Sequence, residues 1–357
     1  MCVLICGQIR GFYIYTSSQV HKLILPYIYY MSILIETLKG NKTKTPIWLM
    51  RQAGRHLPEY INIRQKHTDL MEMFLDPDTI TEISLQPVKR YGFDACILFS
   101  DILMIPYASG CDVSFKEGIG PQVKFNDKFN FKSHKLDSVI KGIENIKKVS
   151  NIPLIGFVGG PWTTLLYCLF DKQERSQINE DLINKNKKRI DDHIDELTDI
   201  ISNYAIQQVN AGIDAFQIFE SAAEELGDEY FDRWCLEPTK EIISSIKSKT
   251  DTPIIGFPRR TSNEGYKKYS NIEKLDCISL DYDFDLDRIN ELNSDVVIQG
   301  NLNPTALLAE NNILQDEVDK ILIAFKDRAH IFNLGHGVLP NTSIKKVEEL
   351  VKTIRAK

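Results

Sequence analysis

Two arginines stand four residues apart in the segment RQAGRHLPEY, and a third follows nine residues later. Arg51, Arg55 and Arg64 carry planar guanidinium forks, which bind carboxylates and phosphates through two parallel hydrogen bonds. Arg51 and Arg55 share one face if their segment is helical, although such a pair can also be solvated surface charge. Gln52 and Gly54 lie beside them, and glycine permits close approach to the backbone. We therefore expect an anion-binding site here.

Four residues with acid, base or hydrogen-bonding chemistry occur elsewhere. Asp101 repels an anionic ligand unless something at the site requires negative charge, and its alternative role is a helix N-cap. Tyr167 and His336 are usual proton-transfer groups. Tyr167 has packing as its alternative role, Ser221 a cap, and the Gly-His-Gly sequence around His336 also suits a phosphate-binding loop.

These residues follow short apolar runs that alternate with longer stretches of helical periodicity. Eight runs rich in β-branched residues predict strands at 46–50, 95–99, 152–158, 215–219, 253–257, 277–280, 296–299 and 331–334. Apolar runs of this kind suit parallel strands that helices cover on both faces. The intervening pattern predicts helices at 136–149, 180–210, 238–248, 312–325 and 344–354.

Eight strands alternating with helices predict an α/β fold, a single (β/α)8 TIM barrel with its active-site cleft at the C-terminal ends of the strands. A doubly wound open sheet is the alternative, but no GxGxxG sequence follows the first run. In a barrel the residues after each run converge on one mouth. We therefore expect the arginines, the aspartate, the tyrosine, the serine and the histidine to meet there.

Composition excludes several classes of protein. The chain is 43% hydrophobic and 26% charged, as in a globular domain, and its net charge of −6 argues against a nucleic-acid partner. An anionic ligand must therefore meet a local basic patch. The seven cysteines are scattered and odd in number, and neither CxxC nor HExxH occurs. We expect a reducing, cytoplasmic location and no metal.

Residues 1–30 form an atypical N-terminal extension, rich in Ile and Tyr. Its apolar run at 23–35 is 13 residues long and contains Pro26, so it is too short to span a bilayer. The order of regions that marks a signal peptide is also missing. We expect no membrane association, and we interpret the extension as a mis-assigned start before Met31, a leader or an extra element. The domain is expected over 31–357.

Two long segments, PIWLMRQAGRHLPEY and GFVGGPWTTLLY, resemble the signatures of the uroporphyrinogen decarboxylase family. FSDIL, GIGP, FES, GNLNP and NLGHGVLP continue the resemblance in the family's order, from Ser32 to the C-terminus. The resemblance implies a (β/α)8 barrel and a cofactor-independent carboxy-lyase, usually a homodimer with facing clefts. The family converts the four acetate side chains of the tetrapyrrole uroporphyrinogen III to methyl groups, giving coproporphyrinogen III and carbon dioxide on the route to haem.

The resemblance also implies roles for particular residues. It implies substrate-binding roles for Arg51, Gln52, Arg55, Arg64, Asp101, Tyr167, Phe219, Ser221 and His336. Among these it implies catalytic roles for Asp101, Arg51, Tyr167 and His336. A buried carboxylate can accept several pyrrole N–H bonds and stabilise a protonated pyrrole, which is the part expected of Asp101. The proton donor is left open among Arg51, His336 and Tyr167.

The sequence departs from the family pattern at four places. His56 replaces a usual Tyr, Asn303 replaces an Asp, the glycine-free segment DKQERSQ follows Phe170, and PRR ends the fifth run. Asn303 is expected to cap a helix as Asp does. These departures put the conformation of the loops in doubt and leave the assignment of the core residues standing.

Two other functions are alternatives to decarboxylation. Cobalamin-linked methyltransferases share this barrel and activate a thiol on zinc, but they need a His-x-Cys pattern that this chain lacks. A tetrapyrrole-binding protein without turnover is the second alternative. The presence of Asp101, Tyr167 and His336 argues against it.

Overall fold

Short apolar runs form the strands in the computed structural model, which describes residues 32–116, 120–310 and 312–357. The strands are β1 (Cys96–Ile97), β2 (Asp112–Lys116), β3 (Gly120–Lys124), β4 (Leu154–Gly159), β5 (Ala215–Glu220), β6 (Ile254–Pro258), β7 (Cys277–Ser279), β8 (Val297–Leu302) and β9 (His330–Leu334). Strands β2 and β3 pair antiparallel as a hairpin, which the sequence did not predict.

Helices occupy most of the segments between the strands. They are α1 (Ile33–Leu38), α2 (Pro58–Arg64), α3 (Leu70–Phe74), α4 (Pro77–Tyr91), α5 (Met104–Ala108), α6 (Asp137–Val149), α7 (Pro161–Leu169), α8 (Lys172–Arg175), α9 (Glu180–Ala211), α10 (Asp228–Phe231), α11 (Glu237–Lys247), α12 (Asn263–Ser270), α13 (Ile313–Ala324) and α14 (Ile344–Arg355). Short 3₁₀ turns occur at Ser133–Leu136, Ala223–Glu225, Leu286–Glu291 and Pro304–Leu308, and a π turn at Asp232–Leu236.

Seven strands form one parallel sheet in the order β1-β4-β5-β6-β7-β8-β9. Each strand pairs with the next one of this sheet along the chain, so the order never reverses. A doubly wound sheet requires a reversal, and that alternative is therefore wrong. The α/β class is confirmed, and seven of the eight predicted runs are strands of this sheet. The five predicted helices are confirmed as α6, α9, α11, α13 and α14.

The predicted first strand, run 46–50, forms a single parallel bridge instead of a ladder. Ile47 bridges Phe332 of β9, and the Phe332 amide donates to the Pro46 carbonyl at 2.8 Å. On the other side, the Asp94 amide donates to the Ile47 carbonyl at 2.9 Å, and the Ile47 amide donates to the Asp94 carboxylate at 2.7 Å. Run 46–50 therefore bonds both to β9 and to the residues that lead into β1.

Side chains from run 46–50 and from all seven strands or their first flanking residues meet in one buried cluster. It contains Trp48, Met50, Ala95, Ile155, Ala215, Ile255, Phe257, Cys277, Val297 and Ile331, with Leu34 and Leu38 of α1. A polar contact crosses this interior, where Trp48 Nε1 donates to Gln299 Oε1 at 3.0 Å. Gln299 Nε2 in turn donates to Ser279 Oγ at 3.1 Å.

The N-terminal extension, residues 1–30, lies outside the described residues, so its interpretation stays a prediction. Among the helices of the described ranges, none combines the length and the apolar character that a membrane span requires. Asn303 is confirmed as a cap, because its side chain accepts from the Thr305 amide at 3.0 Å.

Replacing Gln299 by Leu tests the polar contact that links run 46–50 to the sheet. The substitution leaves the buried Trp48 N–H without its acceptor, which costs about 1–3 kcal/mol of unfolding free energy. Urea unfolding followed by circular dichroism measures this loss. The control Gln315→Leu, at a partly exposed position on α13, is expected within about 0.5 kcal/mol of wild type. Equal stability of the two variants would contradict the importance of the contact.

Candidate active site

Arg51 follows run 46–50 with a backbone conformation that few side chains adopt. Its φ is 57°, in the left-handed region, where a non-glycine residue stores about 1–3 kcal/mol of strain. Its aliphatic stem lies against Gly337, where an added Cβ would stand 2.3 Å from Cδ and 2.6 Å from Cγ of Arg51. Glycine at 337 is therefore needed for this placement of Arg51.

His336 precedes that glycine in the loop after β9. Gly335, on its other side, lies so close to the loop after β7 that an added Cβ would clash with the Tyr282 amide nitrogen. Burial, together with the charges of Arg51 and Arg259, lowers the pKa of His336 to about 4. The imidazole is therefore neutral at physiological pH.

Asp101 lies just beyond β1, in the turn that leads into α5. Its Oδ1 accepts from the Leu103 amide at 2.9 Å, so part of the capping role considered from the sequence is realised. Within the described ranges, Oδ2 has no hydrogen-bond partner. Burial raises the pKa of Asp101, while the Leu103 N–H and the charge of Arg51 oppose that rise. Arg51 therefore acts electrostatically on both Asp101 and His336.

Arg55 and Arg64 do not share a helical face with Arg51. Residues 51–57 form turns, and helix α2 begins only at Pro58. Arg55 and Arg64 instead lie near Tyr60, where burial raises the pKa of the phenol and the two cations oppose that rise. Tyr60 packs edge-on against Phe99, with 6.0 Å between ring centroids, two residues before Asp101. This contact brings the two arginines towards the end of β1.

Gln52 is held by the scaffold. Its side chain is 1% exposed, its Oε1 accepts from the Leu49 amide at 3.1 Å, and its Nε2 donates to the Ala95 carbonyl at 3.1 Å. The amide therefore ties the segment after run 46–50 to the start of β1. Its predicted substrate contact stays a prediction.

Two of the predicted residues, Tyr167 and Phe219, are half-buried aromatic side chains. Phe219, on β5, lies edge-on to Phe157 and Phe257, with centroids 5.5 and 6.1 Å away. Tyr167, on α7, has the guanidinium carbon of Arg175 at 4.4 Å from its ring centroid. In the described part of the chain, the Tyr167 hydroxyl has no hydrogen bond to Asp101 or His336.

Glu220, which the sequence analysis did not single out, links Tyr167's helix to the Ser221 loop. Its Oε1 accepts from the Thr163 amide at 2.6 Å and from the Thr163 hydroxyl, near the start of α7. The same hydroxyl accepts from the Ala222 amide at 3.1 Å. Burial raises the pKa of Glu220 to about 7. The only sequence signal for this residue is a carboxylate that ends an apolar run.

The PRR departure fixes the loops beside Ser221. Arg259 Nη1 donates to the Ser221 carbonyl and to Glu224 Oε1, both at 3.1 Å. Arg260 pairs with Glu224 Oε2 at 2.6 Å and with Asp283 at 3.1 Å. Glu224 therefore neutralises part of both cations. Neither Arg51 nor Arg55 has an ion pair in the part of the chain that the structure describes.

The described residues contain no group of three or more His, Cys, Asp or Glu side chains placed to hold a metal ion. Five cysteines fall within these ranges, and all are buried free thiols. The expectations of no metal and no cofactor stay predictions.

The family model described as uroporphyrinogen decarboxylase (URO-D) matches residues 31–357. This chain belongs to the uroporphyrinogen decarboxylase family. A uroporphyrinogen decarboxylase of Rickettsia rickettsii (strain Sheila Smith) is 40% identical over 336 residues, covering 91% of this chain and 97% of the relative. One from Rickettsia conorii (strain ATCC VR-613 / Malish 7) is 39% identical with the same coverage. The resemblance seen in the sequence is confirmed.

Solved structures support the fold of this family member. A methyltransferase from Methanosarcina mazei matches with a TM-score of 0.73 at 16% identity, covering 91% of this chain and 97% of that one. A B12-independent methionine synthase from Shewanella sp. W3-18-1 matches with a TM-score of 0.56 at 13% identity, covering 78% and 87%. At these identities the likeness concerns the fold alone.

His56, a departure from the family pattern, follows Arg55 directly and packs against the end of α4. Its ring stacks on Tyr91 with 6.3 Å between centroids, and the charges of Glu59 and Arg90 act on its pKa in opposite directions. Burial lowers its pKa to about 4. Neither Arg51 nor Arg55 is among the charges that shift this pKa.

Replacing Arg259 by Gln is expected to raise the pKa of His336 by about one unit, because one neighbouring cation is removed. The pKa should stay below 6.5, since burial is the larger cause of its depression. NMR titration of ring-labelled histidine measures the shift. Arg288→Gln, at a surface pair with Asp285 and Glu291, serves as the control. An unchanged pKa of His336 in Arg259→Gln would show that the Arg259 charge does not affect the imidazole.

Proposed function

We propose that the protein removes carbon dioxide from the four acetate side chains of uroporphyrinogen III, leaving methyl groups and forming coproporphyrinogen III. It is a carboxy-lyase of porphyrin biosynthesis, by its membership of the family. The observation that carries the proposal is the grouping of Asp101, Arg51 and His336 beyond the ends of β1, run 46–50 and β9. A carboxylate, a cation and a neutral imidazole at one place suit a ligand with an N–H centre and a carboxylate rim.

The arginines of the first loop bind the rim of the substrate. Arg51 and Arg55 are exposed, and Arg64 donates from Nη1 to the His67 carbonyl at 2.7 Å, its other guanidinium nitrogens having no acceptor among the described residues. Uroporphyrinogen carries up to eight carboxylates, and an arginine fork can hold a carboxylate through two bonds. Binding the rim orients the scissile acetate, which contributes to lowering the barrier.

Asp101 binds the centre of the macrocycle. Its Oδ2 accepts pyrrole N–H groups, each such charge-assisted bond being worth about 1.5–3 kcal/mol. Direct loss of carbon dioxide would leave an unstabilised carbanion, so the pyrrole is first protonated on a ring carbon and becomes an electron sink. The carboxylate stabilises that cation by about 4 kcal/mol at about 4 Å and an effective dielectric of about 20.

The low pKa of His336 describes the protein without substrate. With a pKa near 4, the imidazole is neutral at physiological pH and offers a hydrogen-bonding group, and the carboxylates of a bound substrate would offset the cations that depress this pKa. Arg51, His336 and Tyr167 therefore all stay candidate proton donors. Arg51 lies near Asp101, and its guanidinium is a very weak acid, so its direct role is that of a carboxylate ligand.

We also infer that run 46–50 completes an eight-stranded barrel. Its bonds to β9 and to Asp94, and the buried cluster that it shares with the seven strands, support closure. A closed barrel collects the loops after the strands at one mouth. By resemblance to the family, the enzyme is a cytoplasmic homodimer with facing clefts and works without a cofactor.

The reaction itself is tested by anaerobic incubation in the dark with chemically reduced uroporphyrinogen III. The mixture is then oxidised, and the carboxyl groups of the products are counted by chromatography. We expect tetracarboxylate product without added metal or cofactor. Recovery of only the octacarboxylate, with binding demonstrable, would favour the tetrapyrrole-binding alternative without turnover.

Gly337→Ala tests the placement of Arg51. The added methyl would occupy the space of the Arg51 stem, and a displacement of about 1 Å can cost about 100-fold in rate. We therefore expect kcat/KM to fall about 100-fold while the melting temperature changes little. The matched control is Gly227→Ala, where an added Cβ meets nothing within 4 Å. If both variants keep wild-type rates, the position of Arg51 is not critical.

A further inference from the structure

The glycine-free segment after Tyr167's helix is an ordered element. Asp171 and Glu174 form a reciprocal capping box at the start of α8, each side chain accepting from the other's amide at 2.9 Å. Arg175, the last residue of α8, donates from Nη1 to the Phe170 carbonyl at 2.6 Å. These bonds fix the segment and aim the Arg175 side chain back along α7.

Arg175 lies against the face of a predicted active-site residue. Its guanidinium carbon is 4.4 Å from the Tyr167 ring centroid, a cation–π contact worth about 0.5–2 kcal/mol. The residue is half-buried, and burial lowers the pKa of its guanidinium. The cation is therefore partly removed from water at the ring of Tyr167.

Within the described ranges, Arg175 has no ion-pair partner. Asp171 is nearby, but its carboxylate caps α8 by accepting from the Glu174 amide, and it forms no ion pair with Arg175. Of the five N–H donors of the fork, one bonds to Phe170, and the Nε and Nη2 groups have no protein acceptor in these ranges. A half-buried guanidinium with an open fork is a site for a carboxylate.

We infer that Arg175 and Tyr167 form an additional subsite for one peripheral carboxylate of the tetrapyrrole. The inference rests on the proposed placement of Tyr167 in the cleft. Arg51, Arg55 and Arg64 all come from the segment after run 46–50, whereas Arg175 comes from the segment that follows β4. It therefore binds a different side chain of the macrocycle and acts on substrate specificity.

The test compares Arg175→Gln with the control Arg288→Gln, which removes an equal charge from an exposed surface pair. Both variants are assayed with uroporphyrinogen III, and KM and kcat are measured separately. We expect Arg175→Gln to raise KM about tenfold, the loss of one charge-assisted bond, with kcat within about twofold. Arg288→Gln should match wild type.

Arg175→Lys keeps the charge and a donor for the Phe170 carbonyl but loses the fork. We expect a KM about threefold above wild type, between wild type and Arg175→Gln. If Arg175→Gln folds poorly, the KM of Arg175→Lys is the measurement that tests the subsite. An unchanged KM in either folded Arg175 variant, or a loss confined to kcat, overturns the subsite and leaves Arg175 as a support for Tyr167.

The same assay separates this inference from the proposed function. If the wild-type protein forms product and the Arg175 variants keep the wild-type KM, the subsite is overturned and the proposed function stands. If the wild-type protein forms no decarboxylated product, the proposed function fails. The subsite is then tested by anaerobic titration of uroporphyrinogen III, where equal Kd values for wild type and Arg175→Gln overturn it.

Discussion

The site depends on one steric constraint, the close packing of the aliphatic part of the Arg51 side chain against Gly337. The backbone of Arg51 is in the left-handed region, and its side chain packs on this glycine. In this position its charge acts on the pKa of both Asp101 and His336. A side chain at 337 would displace it. Run 46–50 must also stay in place for this geometry, and its bonds to β9 and Asp94 keep it there.

The positive charges beside the site are divided into two groups. Arg259 and Arg260 are paired with Glu224 and brace the loops after β5 and β6, and the charge of Arg259 also lowers the pKa of His336. Arg51 and Arg55 have no ion pair in the described part of the chain, which leaves them for carboxylates. Under the proposed function, these cations form the local basic patch through which a chain with a net charge of −6 binds a polyanion.

Much of the scaffold could be predicted from the sequence, because continuous apolar runs and helical periodicity report burial directly. Run 46–50 was misjudged as a full strand, since its pairing is a single bridge that composition does not reveal. Arg51 and Arg55 would share one face only in a helix, and their segment folds into turns instead. Family signatures supplied the candidate site residues, but the neutrality of His336 and the bonds of Glu220 to Thr163 arise from neighbours distant in the chain. Such contacts leave no local signal.

In the proposed complex, Asp101 binds the centre of the macrocycle while the arginines bind its rim. A crystal structure of the protein with coproporphyrinogen III, prepared anaerobically, would show both contacts. We expect pyrrole nitrogens about 3 Å from Asp101 Oδ2, with peripheral carboxylates at the arginines. A product bound with its pyrrole nitrogens turned away from Asp101 would contradict this arrangement.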